Sequence, residues 1–114
     1  MRYSDGVLTG FSVVYVGVVV WQAYKQVMDT HSPVPDYFYK NYALACEKMA
    51  RKSDLSPHES ELYLTEAINN FEIYINSGAD DPQMSSIQNA VKSMKQQLWI
   101  CLIQLITNNS KVEG

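Results

Sequence analysis

The side chains that most often carry chemistry are few here, and their spacing brings none of them together locally. His31 falls in a serine- and proline-rich linker and His58 in a helix cap, and neither has a second histidine or cysteine three or four residues away to share a metal ion. Cys46 and Cys101 are far apart and lack CxxC spacing, so two free, buried thiols are expected, with a single disulfide as the other reading. Glu59, Glu61, Glu66 and Glu72 fall mostly on polar helix faces, where a carboxylate is solvated and not poised as an acid or base. Asp80-Asp81 reads as a helix start. No GxSxG, phosphate-loop, GxGxxG or HExxH pattern occurs. The chain is therefore expected not to be an enzyme, and to need neither cofactor nor metal nor small-molecule substrate.

The elements that would position such residues are helices. Two prolines, Pro33 and Pro35, forbid a continuous helix through the linker. Helix formers resume at about Asp36 and run to Lys52, with Phe38, Tyr42, Ala45 and Met49 spaced as one buried stripe. Ser56-Pro57-His58-Glu59 supplies a cap residue, a proline at the first helical position and a glutamate at the third, a capping box. The helix that follows carries Leu64, Ile68, Phe71 and Ile75 inward and stops at Gly78. Asp81-Pro82 opens a last helix with a stripe through Met84, Ile87, Val91, Met94, Leu98, Leu102 and Leu105, ending near Asn108-Asn109. Asn108-Asn109-Ser110 also fits a glycosylation acceptor pattern.

Composition narrows the class. With 114 residues the chain is one small domain's worth, too short for a cleft between lobes. Apolar residues make up 46% and charged residues 18%, below the roughly 25% charge of typical globular chains, which points to a lipid or partner surface. The net charge of -3, without basic runs, excludes a phosphate-neutralising surface, so nucleic acid is not a partner. Lys48, Arg51 and Lys52 cluster at a helix end, where cations complement the helix dipole.

From Gly6 to Tyr24 nineteen residues carry no charge, long enough as a helix to span about 28 Å. With Trp21 and Tyr24 at one end as an interfacial belt, the stretch is read as a membrane span. Gly6, Gly10 and Gly17 share a face that would permit close helix packing in lipid. An acid in the first five residues and Trp21 near the cleavage position argue against a signal peptide. The competing reading is a strand pair or core helix of a soluble protein. Arg2 before the span against Lys25 and Lys40 after it places the C-terminal domain in the cytoplasm.

Glu66 to Ile75, followed by Gly78 to Pro82, resembles the second helix and closing turn of a tetratricopeptide repeat. Ala67 and Phe71 stand at its small and aromatic positions, and Pro82 at its terminal proline, displaced by about three residues. Tyr39 to Cys46, with Ala43 as the small residue, would be the first helix of the pair, though the link to Ala67 is about twelve residues longer than the standard repeat. The resemblance implies a helical hairpin that binds a peptide or a neighbouring subunit.

The expectation is thus an all-α protein: an N-terminal transmembrane helix in a 1–28 anchor, a 29–35 proline linker and a three-helix, TPR-like interaction domain over 36–114. Its role would be that of a single-pass membrane accessory or assembly subunit, with the bilayer and a larger membrane complex as partners. Gly10, Gly17, Trp99, Ile103 and Ile106 are the expected contact residues, the last three because the end of the final helix is apolar nearly all round. The alternative is a soluble TPR-like adaptor or chaperone that binds a partner helix, with Val7 to Trp21 buried against its other helices.

Overall fold

A computed structural model describes residues 18–30 and 33–113, and side chains as far as 108. All regular structure in this range is helical: 18–29 (α1), Asp36–Ala50 (α2), Pro57–Asn76 (α3) and Met84–Glu113 (α4).

Each boundary has a local cause. Pro35 holds an extended backbone ahead of α2, Asp36 lies in its first turn and Lys48 in its last, in accord with the helix dipole. α3 begins with a complete capping box: the Glu59 backbone N–H donates to Ser56 Oγ (3.2 Å) and the Ser56 N–H to Glu59 Oε1 (3.0 Å). Gly78, at φ +81°, turns the chain after α3 in the left-handed region that residues with a Cβ rarely adopt. α4 starts where Asp81 Oδ1 accepts the Gln83 N–H (2.8 Å) and the Asp81 carbonyl accepts from Met84 (3.0 Å).

α2, α3 and α4 stack in sequence order, and α1 lies against both α2 and α3. α3 packs between α2 and α4, whose backbones do not approach each other closely. Both neighbours run antiparallel to α3. Tyr42 meets Glu66 and Lys40 reaches past Tyr74 on one side; Lys95 meets Glu72 on the other. The core is Tyr42, Cys46, Leu64, Ile68, Phe71 and Tyr74 with Ile87, Val91 and Met94 of α4. Ala43 and Ala67 are fully buried among them, and their small side chains let α2 and α3 approach closely.

Two expectations need correction. No helix among the described residues is long and apolar enough to cross a membrane, which overturns the transmembrane helix, the single-pass assignment and the membrane location with a cytoplasmic domain. Gly6 to Gly17 lie outside the described residues. In α1, which holds the described part of that stretch, Trp21, Tyr24 and Met28 turn inward against the core, while Val19, Val20, Gln22 and Gln26 face out. Trp21 meets Tyr63 edge to face at 5.3 Å and Tyr24 meets Phe38 at 4.8 Å, so these aromatics serve a protein core and not an interfacial belt. The last helix also runs on through Asn108-Asn109 to Glu113, where an end was expected.

Candidate interaction site

At 30 residues α4 is about 45 Å long, against about 30 Å for the 20 residues of α3, so its C-terminal third runs beyond its packing partner. Leu98, Cys101 and Leu105 keep an inward line, half-buried. Trp99, Ile103 and Ile106 form a second line at spacings of four and three, and stand 65%, 56% and 65% exposed. Ile100 and Leu102 flank them, also exposed. Scattered apolar residues are normal on a surface; five large ones within eight positions of one helix are a contiguous patch. The sequence-selected Trp99, Ile103 and Ile106 thus share one face. Gly10 and Gly17 lie outside the described residues, and nothing joins them to this face.

Two polar nodes, neither evident from sequence, hold the stack that presents the stripe. In the first, Asp81 Oδ2 accepts from both Lys40 Nζ and Tyr74 OH, each at 2.7 Å, tying α2, α3 and the turn into α4. Its side chain is 8% exposed. The Lys40 ammonium, the Gln83 N–H and the Tyr74 hydroxyl together hold the Asp81 carboxyl down to about 2, while the bonded carboxylate lifts Tyr74 to about 12.

In the second node Tyr42 OH donates to Glu66 Oε2 (2.8 Å), and Glu66 Oε1 lies 3.9 Å from Lys25 Nζ of α1. Burial, then the neighbouring Cys46 and Glu66, pushes the Tyr42 hydroxyl well above its ordinary range. Burial raises the Cys46 thiol to about 12, against a smaller lowering by the Tyr42 hydrogen bond. A thiol so protonated at neutral pH is a packing group and not a nucleophile. The Trp21 indole N–H is buried beside it without a partner in hydrogen-bond geometry. Both cysteines are free thiols. The other carboxylates have structural work as well: Glu59 caps α3 and Glu72 pairs with Lys95 at 2.7 Å. Among the described residues no group of three His, Cys, Asp or Glu is placed to hold a metal ion. A shallow groove between α2 and α4 is floored by Leu64 and walled by Glu47, Arg51, Ala90, Met94 and Gln97.

No protein-family model matches the chain, and no solved structure does. Among curated proteins it is similar to Protein O-mannosyl-transferase TMEM260 of Mus musculus, 33% identical over 78 residues, which are 68% of this chain and 11% of that protein. The chain therefore spans about a tenth of that relative's length. By its name the relative is an enzyme, so the similarity relates part of this chain to part of a transferase and lends no support to the expectation of a non-enzyme.

Proposed function

We propose that this chain is a TPR-like helical adaptor module, without a catalytic centre of its own, that binds an apolar partner helix along the C-terminal half of α4. One observation carries the reading: α2, α3 and α4 pack in sequence order, and the last leaves Trp99, Ile103 and Ile106 uncovered where a further helix would continue the stack. Ala67 and Phe71 support the repeat resemblance by their burial in the α2–α3 hairpin. The relative's name extends the proposal: the module accompanies a mannosyl-transfer activity whose chemistry resides elsewhere. A larger membrane complex as partner rested on the spanning helix and is not carried forward.

A photo-crosslinking amino acid at position 99, in the protein expressed in its own cells, tests the proposal. The expected product joins position 99 to an apolar helical segment identified by mass spectrometry. Crosslinking no more frequent than at the exposed polar position Lys48 overturns it.

A further inference from the structure

We infer that α1 is a detachable cover: it lifts from α2 and α3 while the stack of α2, α3 and α4 stays folded, and in lifting it uncovers the Cys46 thiol. The face involved belongs to α2 and α3, so the device is independent of the partner proposed for α4.

The core closes without α1. Every buried side chain among the described residues belongs to α2, α3 or α4, whereas Trp21, Tyr24 and Met28 are only partly buried against that core. Few contacts hold α1 down: Trp21 on Tyr63, Tyr24 on Phe38, Met28 against the core, and Lys25 at 3.9 Å from Glu66. That ion pair is long and partly open to water, and such pairs contribute little. Val19, Val20 and Val27 of α1 face solvent in the docked state, so docking removes little of their apolar surface from water. The contact also carries a penalty of its own. The Trp21 indole N–H is buried with no acceptor, and it recovers a water when the helix lifts. No helical rod joins α1 to α2, because residues 33–35 are non-helical and two of them are proline. α1 has 12 residues, over 18–29, and a lone helix that short is marginal in water. Lifting and melting are therefore one step, a local opening below the free energy of global unfolding.

What α1 covers is reactive chemistry held in reserve. Cys46 has no exposed surface, and its polar surroundings are Tyr42 of α2, Glu66 of α3, and Trp21 and Lys25 of α1. Of these, only Trp21 and Lys25 belong to an element that the core does not need. With α1 down, burial holds the thiol near 12 and it is inert. With α1 lifted, water reaches it and it returns toward the ordinary thiol value of about 8.5, where a reactive thiolate fraction exists at neutral pH. The position of one helix thus sets the reactivity of one side chain.

Thiol labelling of the whole 114-residue chain reads the opening, with Cys101→Ser leaving Cys46 as the reporter. In excess dithiobis(nitrobenzoate), each Cys46 thiolate attacks the reagent's disulfide, forms a mixed disulfide and releases one coloured thionitrobenzoate. The expected rate rises with urea, below the unfolding transition, with less than about half the slope of global unfolding, because lifting α1 exposes less surface than unfolding the chain. Tyr24 rests on Phe38, two turns of α2 from the thiol, and Tyr24→Ala raises the rate about tenfold or more. Ile87→Ala, in the α3–α4 core, raises the global unfolding constant about thirtyfold or more yet changes the labelling rate less than about twofold. A rate that tracks global unfolding in urea, or that rises with Ile87→Ala as far as the unfolding constant does, makes the chain one cooperative unit and overturns the cover. So does a rate indifferent to Tyr24→Ala, or one as fast in buffer as in the unfolded chain. The urea slope of the Cys101→Ser chain decides the matter even where Ile87→Ala does not fold.

Discussion

Two faces of α4 belong to one unbroken helix, yet one is built into a core and the other is left open. Apolar residues recur at helical spacing on both. On one, Ile87, Val91 and Met94 are buried against α3; on the other, Trp99, Ile103 and Ile106 are exposed, although Leu98 and Cys101 beside them still pack against the core. Periodicity tells a helix which faces are apolar, and only a neighbour on that side decides whether burial happens. The difference between the two faces is therefore energetic and can be measured.

The largest expected effect lies on the packed side. Phe71 is 1% exposed between α2 and α4, and Phe71→Ala removes its transfer free energy and leaves a cavity, at a cost of about 3–5 kcal/mol. For a module whose total stability is on the order of 5–15 kcal/mol this is a large fraction. Urea unfolding followed by circular dichroism should show it; a loss under about 1 kcal/mol would mean that the core is not closed around this ring.

Acid probes the same side through Asp81. Its carboxyl is held near 2 in the folded chain, below the ordinary 3.8, so its contribution is complete above about pH 4 and is lost as pH falls through 2. The melting temperature should decline over that window, and Asp81→Asn, which cannot titrate, should flatten this part of the decline. An identical acid limb in the variant would show that Lys40 and Tyr74 do not hold the carboxylate.

Tyr42→Phe tests the second node. It keeps the ring and removes the hydroxyl that Glu66 accepts at 2.8 Å; because Glu66 is partly exposed and regains water, the expected loss is about 1 kcal/mol. Gly78→Ala comes next, at roughly 1 kcal/mol, and its origin is purely conformational: no atom lies within 4 Å of an added Cβ, while φ is +81°. Asparagine at 78, which tolerates this region better, should cost less than alanine. If alanine and asparagine cost the same, the turn does not depend on the left-handed conformation.

What the sequence made legible was what is local. The capping box of Ser56 and Glu59, the stop at Gly78 and the inward lines of α2 and α3 each depend on residues within a turn or two of one another. The α4 register was legible only in part. Steps of four from Met94 through Leu98 to Leu102 each drift about 40° around the helix, so Leu102 leaves the buried face and Cys101 takes its place. The N-terminal stretch misled because Trp21 and Tyr24 suit a lipid interface and a protein core equally in composition. The Lys40–Asp81 and Tyr42–Glu66 pairs span 41 and 24 residues, and no local pattern announces a contact made by tertiary packing. Of the candidate site, Trp99, Ile103 and Ile106 could be selected because a helix apolar on every side has more faces than one neighbour can cover.

The smallest effect is the sharpest test of the comparison. Ile106 carries the same kind of side chain as Ile87, in the same helix, but is 65% exposed where Ile87 is 7%. Replacing each by serine alters helix propensity about equally, so the difference in unfolding free energy isolates burial. Ile87→Ser should cost about 2–4 kcal/mol, because it leaves a cavity and buries a hydroxyl. Ile106→Ser should fall within about 0.5 kcal/mol of the parent when measured at low micromolar concentration. Should Ile106→Ser prove as costly as Ile87→Ser in the dilute chain, the overhang is already covered from within the molecule, and an unoccupied docking face on α4 no longer exists to be filled.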